Sequence, residues 1–334
     1  MMTTMQDVAA LANVSAKTVS RVYNDDPHVD PDTRARVVAA LESLNYVPNT
    51  MATTFRTGRP AVIGLAVPDI ADPFFAAIAH AVENRAHERD MAVIMTSMGD
   101  DRAQERPIVE SLLRRRLSGL ILAPIGSDHS YLKRWTSHFP TIFVDRAAKG
   151  IAADSFVHDD HDGGVKATEH LLNLGHHRVA FIGDTAVIPT TGNRLLGYRH
   201  ALAARNVPPD ENLIVMGAGT RTGAREVLTM LMALDPPPTA LFLSNARISM
   251  VGIPALQQLN LRDLSVVGFG DFPMADALRP PLTVIDQSPS ELGRQAMDRI
   301  LDRIDHPRRR YRRSNVFAVR LIERGSCFPA VHSE

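Results

Sequence analysis

Val8-Ala-Ala-Leu-Ala-Asn-Val-Ser15, followed by Thr18-Val-Ser-Arg-Val-Tyr-Asn24, sets the reading of the whole chain. Met5, Val8, Ala9 and Ala12 recur at helical spacing, and Thr4 with Asp7 makes an N-terminal capping box. A second helical pattern, Val14, Val19 and Val22, follows Asn13 and takes Ser15 as its cap. Asn13 can adopt the left-handed conformation that so tight a turn demands. A third helix opens at Asp30-Pro31, a cap followed by a first-turn proline, and buries Val37, Val38, Leu41 and Leu44 before Asn45 ends it. Two short helices across a tight turn, with a third closing the core, form a helix-turn-helix arrangement.

From Pro60 onward the rhythm changes. Short apolar, β-branched runs alternate with amphipathic helices: Val62–Val67, Ala92–Met95, Gly119–Ala123 and Thr141–Val144, then Arg178–Ile182, Leu213–Met216, Thr239–Leu243 and Ser265–Gly268. Runs that are apolar throughout imply strands buried on both faces, hence parallel sheets. Asp154–Gly164, rich in Asp, His and Gly, reads as the crossover between two groups of four strands. The economical architecture is two doubly wound subdomains facing a cleft, with ligand positions at the strand carboxyl ends.

A chain of 334 residues suits two or three domains, and 45% apolar residues supply sizeable cores. Lys plus Arg and Asp plus Glu both number 37, so no overall field marks a polyanion binder. The single cysteine, Cys327, excludes an intrachain disulfide and any cysteine-based zinc site. The run Val62–Val67 stops at Pro68, far short of the ~20 residues that span a bilayer. Residues 1–20 do not read as a signal peptide. The expectation is a soluble cytoplasmic protein with no membrane role.

The quoted stretch closely resembles the LacI/GalR family of transcriptional regulators. The resemblance continues through Asn45-Tyr-Val-Pro-Asn49, Arg56-Thr-Gly-Arg59, Ile63–Ile70, Asp72-Pro-Phe-Phe75 and Val144-Asp-Arg146. It then runs through His170–His176, Gly197-Tyr198, Val266–Phe269, Arg279–Thr283 and Arg324-Gly-Ser326. An ordered series of this length implies an all-α helix-turn-helix DNA-binding domain plus an α/β periplasmic-binding-protein-like sensor of two doubly wound subdomains. The implied domains are 1–48 for the helix-turn-helix, 49–60 for a hinge helix and linker, and 61–334 for effector binding and dimerisation. The sensor would divide into roughly 61–158 plus 290–320, and 161–285 plus 321–334.

DNA contacts are expected from Thr4, Ser15, Ala16, Lys17, Thr18, Ser20, Arg21 and Asn24. Hydroxyls and helix N-terminal amides suit phosphates, while Lys and Arg reach guanine edges in the major groove. Residues 1–60 hold six basic and six acidic side chains, so the module lacks the usual basic surplus. Lys17 and Arg21 lie one turn apart on the second helix, whereas four of the acids cluster at 25–32, outside it. In the family, the segment here spanning Asn49–Phe55 forms a hinge helix that inserts an apolar wedge into the minor groove. That implies roles for Asn49, Ala52, Phe55 and Arg56, with Phe55 the wedge.

The resemblance implies effector contacts from Phe74, Phe75, Asp145, Arg146, Arg194, Asn245, Asp271 and Gln287. Two departures bear on the ligand. Ala246 and Arg247 follow Asn245 where the family has an acid or amide. Gly270 stands where it has aspartate, with Asp271 the substitute if the loop shifts. The expected effector is a sugar, polyol or sugar phosphate, or something smaller or more anionic.

Two motifs offer an enzyme reading: His158-Asp-Asp-His-Asp162 has metal-ligand residue types, and Gly217-Ala-Gly-Thr-Arg-Thr-Gly223 follows a strand as a nucleotide loop would. The other alternative is a small-molecule receptor with no DNA role. The family reading implies no catalysis, cofactor or metal, and a homodimer on double-stranded, pseudo-palindromic operator DNA, most often as a repressor. Tetrameric relatives carry a leucine heptad tail. Here eight residues follow Ser326 and include Pro329, so a dimer is expected.

Overall fold

The computed structural model describes residues 4–23, 26–44 and 62–330. These fall into two compact units, one within residues 1–60 and the other within 61–334.

The first unit comprises α1 (Met5–Ala12), α2 (Ala16–Tyr23) and α3 (Pro31–Ser43). Thr4 and Asp7 close a reciprocal capping box on α1, and Asn13 ends the helix in the left-handed region at φ 52°. Ser15 accepts a hydrogen bond from the Thr18 amide, and Asp30 one from the Thr33 amide ahead of Pro31. The buried core is Val8, Ala9, Ala12, Val19, Val22, Val29, Val37 and Ala40. Two expectations for α3 need correction. Val38 is 41% exposed, so Val37 and Ala40 carry the buried face, with Leu41 and Leu44 only partly covered. The helix ends at Ser43 with Leu44 as its cap. Asn45 lies outside the described residues, as do Asn24, Asn49, Ala52, Phe55 and Arg56.

The second unit holds two six-stranded sheets. The first contains β1 (Val62–Val67), β2 (Ala92–Ser97), β3 (Gly119–Leu122), β4 (Thr141–Val144), β5 (Asp154–His158) and β11 (Ser314–Phe317), in the order β11-β5-β4-β3-β1-β2. The second contains β6 (Val179–Gly183), β7 (Ile214–Met216), β8 (Ala240–Leu243), β9 (Ser265–Phe269), β10 (Thr283–Asp286) and β12 (Arg320–Ile322), in the order β12-β10-β9-β8-β6-β7. All pairings are parallel except that of β10 with β12. Helices cover both faces. They are α4 (Pro73–His87), α5 (Arg102–Leu113), α6 (Lys133–Thr136), α7 (Asp160–Asn173), α8 (Pro189–Ala204), α9 (Arg221–Met232), α10 (Ala246–Gln258) and α11 (Pro289–Asp305). Both sheets are doubly wound, as the apolar runs imply.

The crossover is narrower than the sequence suggests. Asp154–His158 is a buried strand, and Asp160 already begins α7. The chain crosses between the sheets three times: after His158, after Asp286 and after Phe317. β5 escapes the apolar pattern because it starts with a carboxylate. Asp154 is buried yet bonded to Arg299 at 2.9 Å and to Arg303 at 2.7 Å, both on α11. Paired burial of this kind is what lets a charge occupy an interior.

Candidate functional site

The carboxyl ends of the two sheets face a cleft open to solvent, with about 600 Å³ of empty space that includes its open mouth. Seven of the eight residues named for this cleft from sequence line it: Phe74, Phe75, Asp145, Arg146, Arg194, Asn245 and Gln287. Asp271 does not. The Arg324 guanidinium grips its two carboxylate oxygens at 2.6 and 3.0 Å, away from the cavity lining. Gly270 beside it has φ +83°. That backbone region disfavours a side chain, so the loop does not rebuild the absent acid there.

Arg194 lies on α8, which begins five residues earlier at Pro189. The guanidinium is held from three sides. Its Nε donates to Asp160 Oδ1 at 2.8 Å, its Nη1 donates to the Ser244 carbonyl at 2.7 Å, and it lies 3.7 Å over the Phe269 ring. Arg194 and Asp160 are both at least 95% buried. Burial pushes the Asp160 carboxyl up to about 6 against the pull of Arg194. A guanidinium has five N–H donors, so Arg194 keeps some of them beyond these contacts for a guest at the cavity wall.

Asp145 follows β4 with φ 65°, a strained conformation for a residue with a side chain, and is buried. Arg146 Nε lies 3.2 Å from its carboxylate, close enough for attraction but outside hydrogen-bonding geometry, so a buried donor stands unsatisfied. Asn245 caps α10 by accepting from the Ile248 amide and donates to Asp184 at 3.0 Å. Gln287 sits 3.4 Å from His158 Nδ1. Burial depresses that imidazole to about 4, so it is neutral at physiological pH. Phe75 belongs mostly to the core beneath, while Phe74 is only partly covered.

Sequence reasoning missed Asp69, Asp72, Asp100, Asp184 and Arg247 as lining residues. Arg247 is the informative one, and its departure from the family pattern was the available signal. From the start of α10 it reaches Asp100, which follows β2 in the other sheet, at 3.2 Å, and it lies 3.6 Å from Asp184. Arg102 makes a second strap by donating to the Val187 carbonyl at 2.8 Å. The lining thus presents five carboxylates (Asp69, Asp72, Asp100, Asp145, Asp184) and three guanidiniums (Arg146, Arg194, Arg247), each guanidinium beside a carboxylate.

The motifs behind the enzyme reading have other duties. Asp159 caps α7, Asp160 pairs with Arg194, and Asp162 pairs with Lys166. Among the described residues no three His, Cys, Asp or Glu converge as metal ligands. Thr220, within the glycine-rich loop, caps α9 through the Gly223 amide.

In the first unit, Lys17 and Arg21 are exposed on α2 while Val19 and Val22 are buried. Thr4, Ser15 and Thr18 spend their hydroxyls on capping and on one another. The acids of the following loop are not as remote as their numbering suggests: Asp26 accepts from Arg21 Nε at 2.8 Å. This exposed pair costs little to break. Asp26→Asn should therefore release Arg21 and raise affinity for a specific duplex several-fold more than for random-sequence duplex. Fluorescence anisotropy on the two duplexes checks this; an equal gain on both would show that Arg21 meets phosphates rather than bases.

Residues 4–49 match the family described as bacterial regulatory proteins, lacI family, and residues 168–327 match a periplasmic binding protein-like domain. The chain is 32% identical over 312 residues to the HTH-type transcriptional repressor PurR of Haemophilus influenzae (strain PittEE), covering 91% of this chain and 92% of that one. It is 30% identical to the ribose operon repressor of Haemophilus influenzae, covering 93% and 95%. Among solved structures, the lac repressor dimer bound to operator and the anti-inducer ONPF superposes with a TM-score of 0.85 at 26% identity, covering 98% of this chain and all of that one.

Proposed function

The chain belongs to the LacI family of bacterial regulatory proteins, a DNA-binding transcriptional regulator with an effector domain, and from that premise we propose how its residues divide the work. The reading is a homodimeric, non-catalytic cytoplasmic repressor on a pseudo-palindromic operator, with domains bounded as 1–48, 49–60 and 61–334. No helix among the described residues is long and apolar enough to cross a membrane. Lys17 and Arg21 read bases, and Thr4, Ser15, Ala16, Thr18, Ser20, Asn24, Asn49 and Arg56 position the backbone. Ala52 and Phe55 form the apolar part of the hinge. Arg21→Ala should cost roughly 1–3 kcal/mol on the specific operator and relax its sequence preference; an equal loss on every duplex would assign Arg21 to phosphate instead. Phe55→Ala should reduce operator bending while leaving effector affinity intact, as circular-permutation gel shifts would show.

The observation that carries the effector role is the clamped Arg194 at a cavity wall built from the carboxyl ends of both sheets. With five carboxylates against three guanidiniums, each already beside an acid, the lining favours a neutral guest rich in hydroxyl donors, a sugar or polyol, over an anion. Phe74, Asp145, Arg146, Arg194, Asn245 and Gln287 are its contacts, and Arg247 with Asp100 closes the two subdomains over it. A thermal-shift screen of sugars, polyols, sugar phosphates and purines tests this, because a ligand that binds the folded state raises stability by mass action. The account expects neutral polyols to outrank phosphorylated ones.

Affinity should also follow pH. Below about 6 Asp160 takes up a proton, and the buried Arg194 charge loses its partner. Effector affinity should be level between pH 7 and 8 and fall as pH drops through 6. Calorimetric titration of a sugar that binds reads this directly, and a flat profile to pH 5 would remove Asp160 from the site's electrostatics. His158, neutral down to about 4, does not contribute in that window.

A further inference from the structure

The DNA-reading unit carries no basic surplus, with six basic and six acidic side chains in residues 1–60, so its phosphate attraction must be supplemented elsewhere. We propose that the amino-terminal edge of the first sheet is a second DNA-binding surface, which holds duplex phosphates. This rests on the regulator reading above and adds to it a surface in the effector domain.

Two arginine clusters define that edge. Arg114, Arg115 and Arg116 lie between α5 and β3, and Arg308, Arg309, Arg310, Arg312 and Arg313 lie between α11 and β11. All eight are exposed, and neither segment contains a carboxylate. Arg114, Arg115, Arg116, Arg308, Arg310, Arg312 and Arg313 join no ion pair among the described residues. The parallel register brings both clusters to one side of the sheet: Ile63 pairs with Gly119, Leu120 with Thr141, Ile142 with Asp154, and Ser155 with Ser314. Every strand in that row therefore begins at the same edge. Residue 62, where the chain arrives from residues 1–61, begins there too. β3 is next to β1 and β11 lies three strands beyond β3, so the clusters are about 14 Å apart along the edge. A duplex with one charge per ~1.7 Å of axis meets both at once.

The surface is built rather than loose. Tyr311 in the middle of the second cluster lies under the guanidiniums of Arg299, Arg303 and Arg309 at 4.6, 5.1 and 5.3 Å. Arg299 also donates to the Arg312 carbonyl, and the Arg313 carbonyl accepts from the Ser155 amide at 2.7 Å. The buried Asp154 neutralises Arg299 and Arg303, which leaves the outer arginines as the uncompensated charge. Of the acids near this edge, Glu88 pairs with Arg85 and Asp305 with Arg89, while Asp90, before β2, is exposed. The backbone that carries Arg312 and Arg313 is thus held in place before any partner arrives, which lowers the cost of ordering it on binding.

The test uses the full chain and a random-sequence duplex of 40 base pairs, because phosphate contacts need no particular sequence. Two variants serve: R114S/R115S/R116S, and R308S/R310S/R312S/R313S. Both change only exposed side chains, and unchanged melting temperatures confirm the fold. The proposal expects each variant to bind the duplex at least tenfold more weakly in low salt. Each lost contact should make the plot of log affinity against log salt shallower by about 0.9. A slope unchanged in both variants would overturn the proposal while leaving the regulator reading intact. So would a loss confined to vesicles containing phosphatidylserine or to single-stranded RNA. A wild-type chain that bound no duplex at all would instead defeat the regulator reading itself.

Discussion

Arg194→Ala should lower the stability of the effector domain by about 3–5 kcal/mol and abolish its response to any cleft ligand. The size follows from what stays behind: Asp160, almost wholly buried, would face the interior with neither of its bonds at 2.7 and 2.8 Å. The Ser244 carbonyl and the Phe269 ring would lose their partner as well. For a domain of this size each kcal/mol moves the melting temperature by about 2–4 °C, so differential scanning calorimetry should show a fall of roughly 10 °C. Stability and response can be separated. Replacing both partners, as Arg194→Met with Asp160→Leu, removes the buried charges together and should restore most of the stability. The ligand response should not return. If it does, Arg194 merely fills space.

The second large effect is expected at Gly197, on the face of α8 that packs against α7. A β-carbon there would meet the His161 carbonyl oxygen and the Val165 amide, both backbone, and one on Gly164 would meet the Arg194 carbonyl. Neither helix can yield by turning a side chain, so the pair must separate. Gly197→Val should cost about 3 kcal/mol or more, the upper range for overpacking. Since α7 carries Asp160 and α8 carries Arg194, the same separation should weaken the ion pair. The expected signature is a lowered melting temperature together with weakened ligand affinity, in a variant that touches no ligand. Loss of stability with normal affinity would show that the helix spacing does not govern the cleft.

What could be read from sequence divides by the range of the interaction that decides it. The capping box of Thr4 and Asp7, the left-handed Asn13 and the Asp30-Pro31 helix start are local, settled within a few residues, and all are present. The apolar strands β1, β3 and β4 are similarly self-announcing because both their faces are buried. β5 is not, since Asp154 is stable inside only through Arg299 and Arg303 on a distant helix. β11 and β12 are short and partly exposed, and they carry little apolar signal.

The cleft shows the same division. Asp145 and Arg146 sit directly after an obvious strand, and Asn245 directly after another, so position alone places them. Asp271 has the right residue type at nearly the right position, but Arg324, fifty-three residues away, captures it. Asp100 joins the lining because Arg247 reaches it from the other sheet, an encounter visible only once both subdomains exist. Similarly, Arg21 looked free of the acids that follow it until the loop carried Asp26 back to it.

The central claim is that occupancy of this cleft sets affinity for a particular DNA sequence. Selection from a random duplex pool with the full chain supplies the sequence, and the screen above supplies a ligand. The decisive measurement is the affinity of the chain for the selected duplex with and without that ligand. The account predicts an inverted-repeat sequence and an affinity change of about 5- to 150-fold, corresponding to a coupling of 1–3 kcal/mol, which disappears in the Arg194→Met, Asp160→Leu double variant. The same affinity with and without a saturating ligand would contradict it.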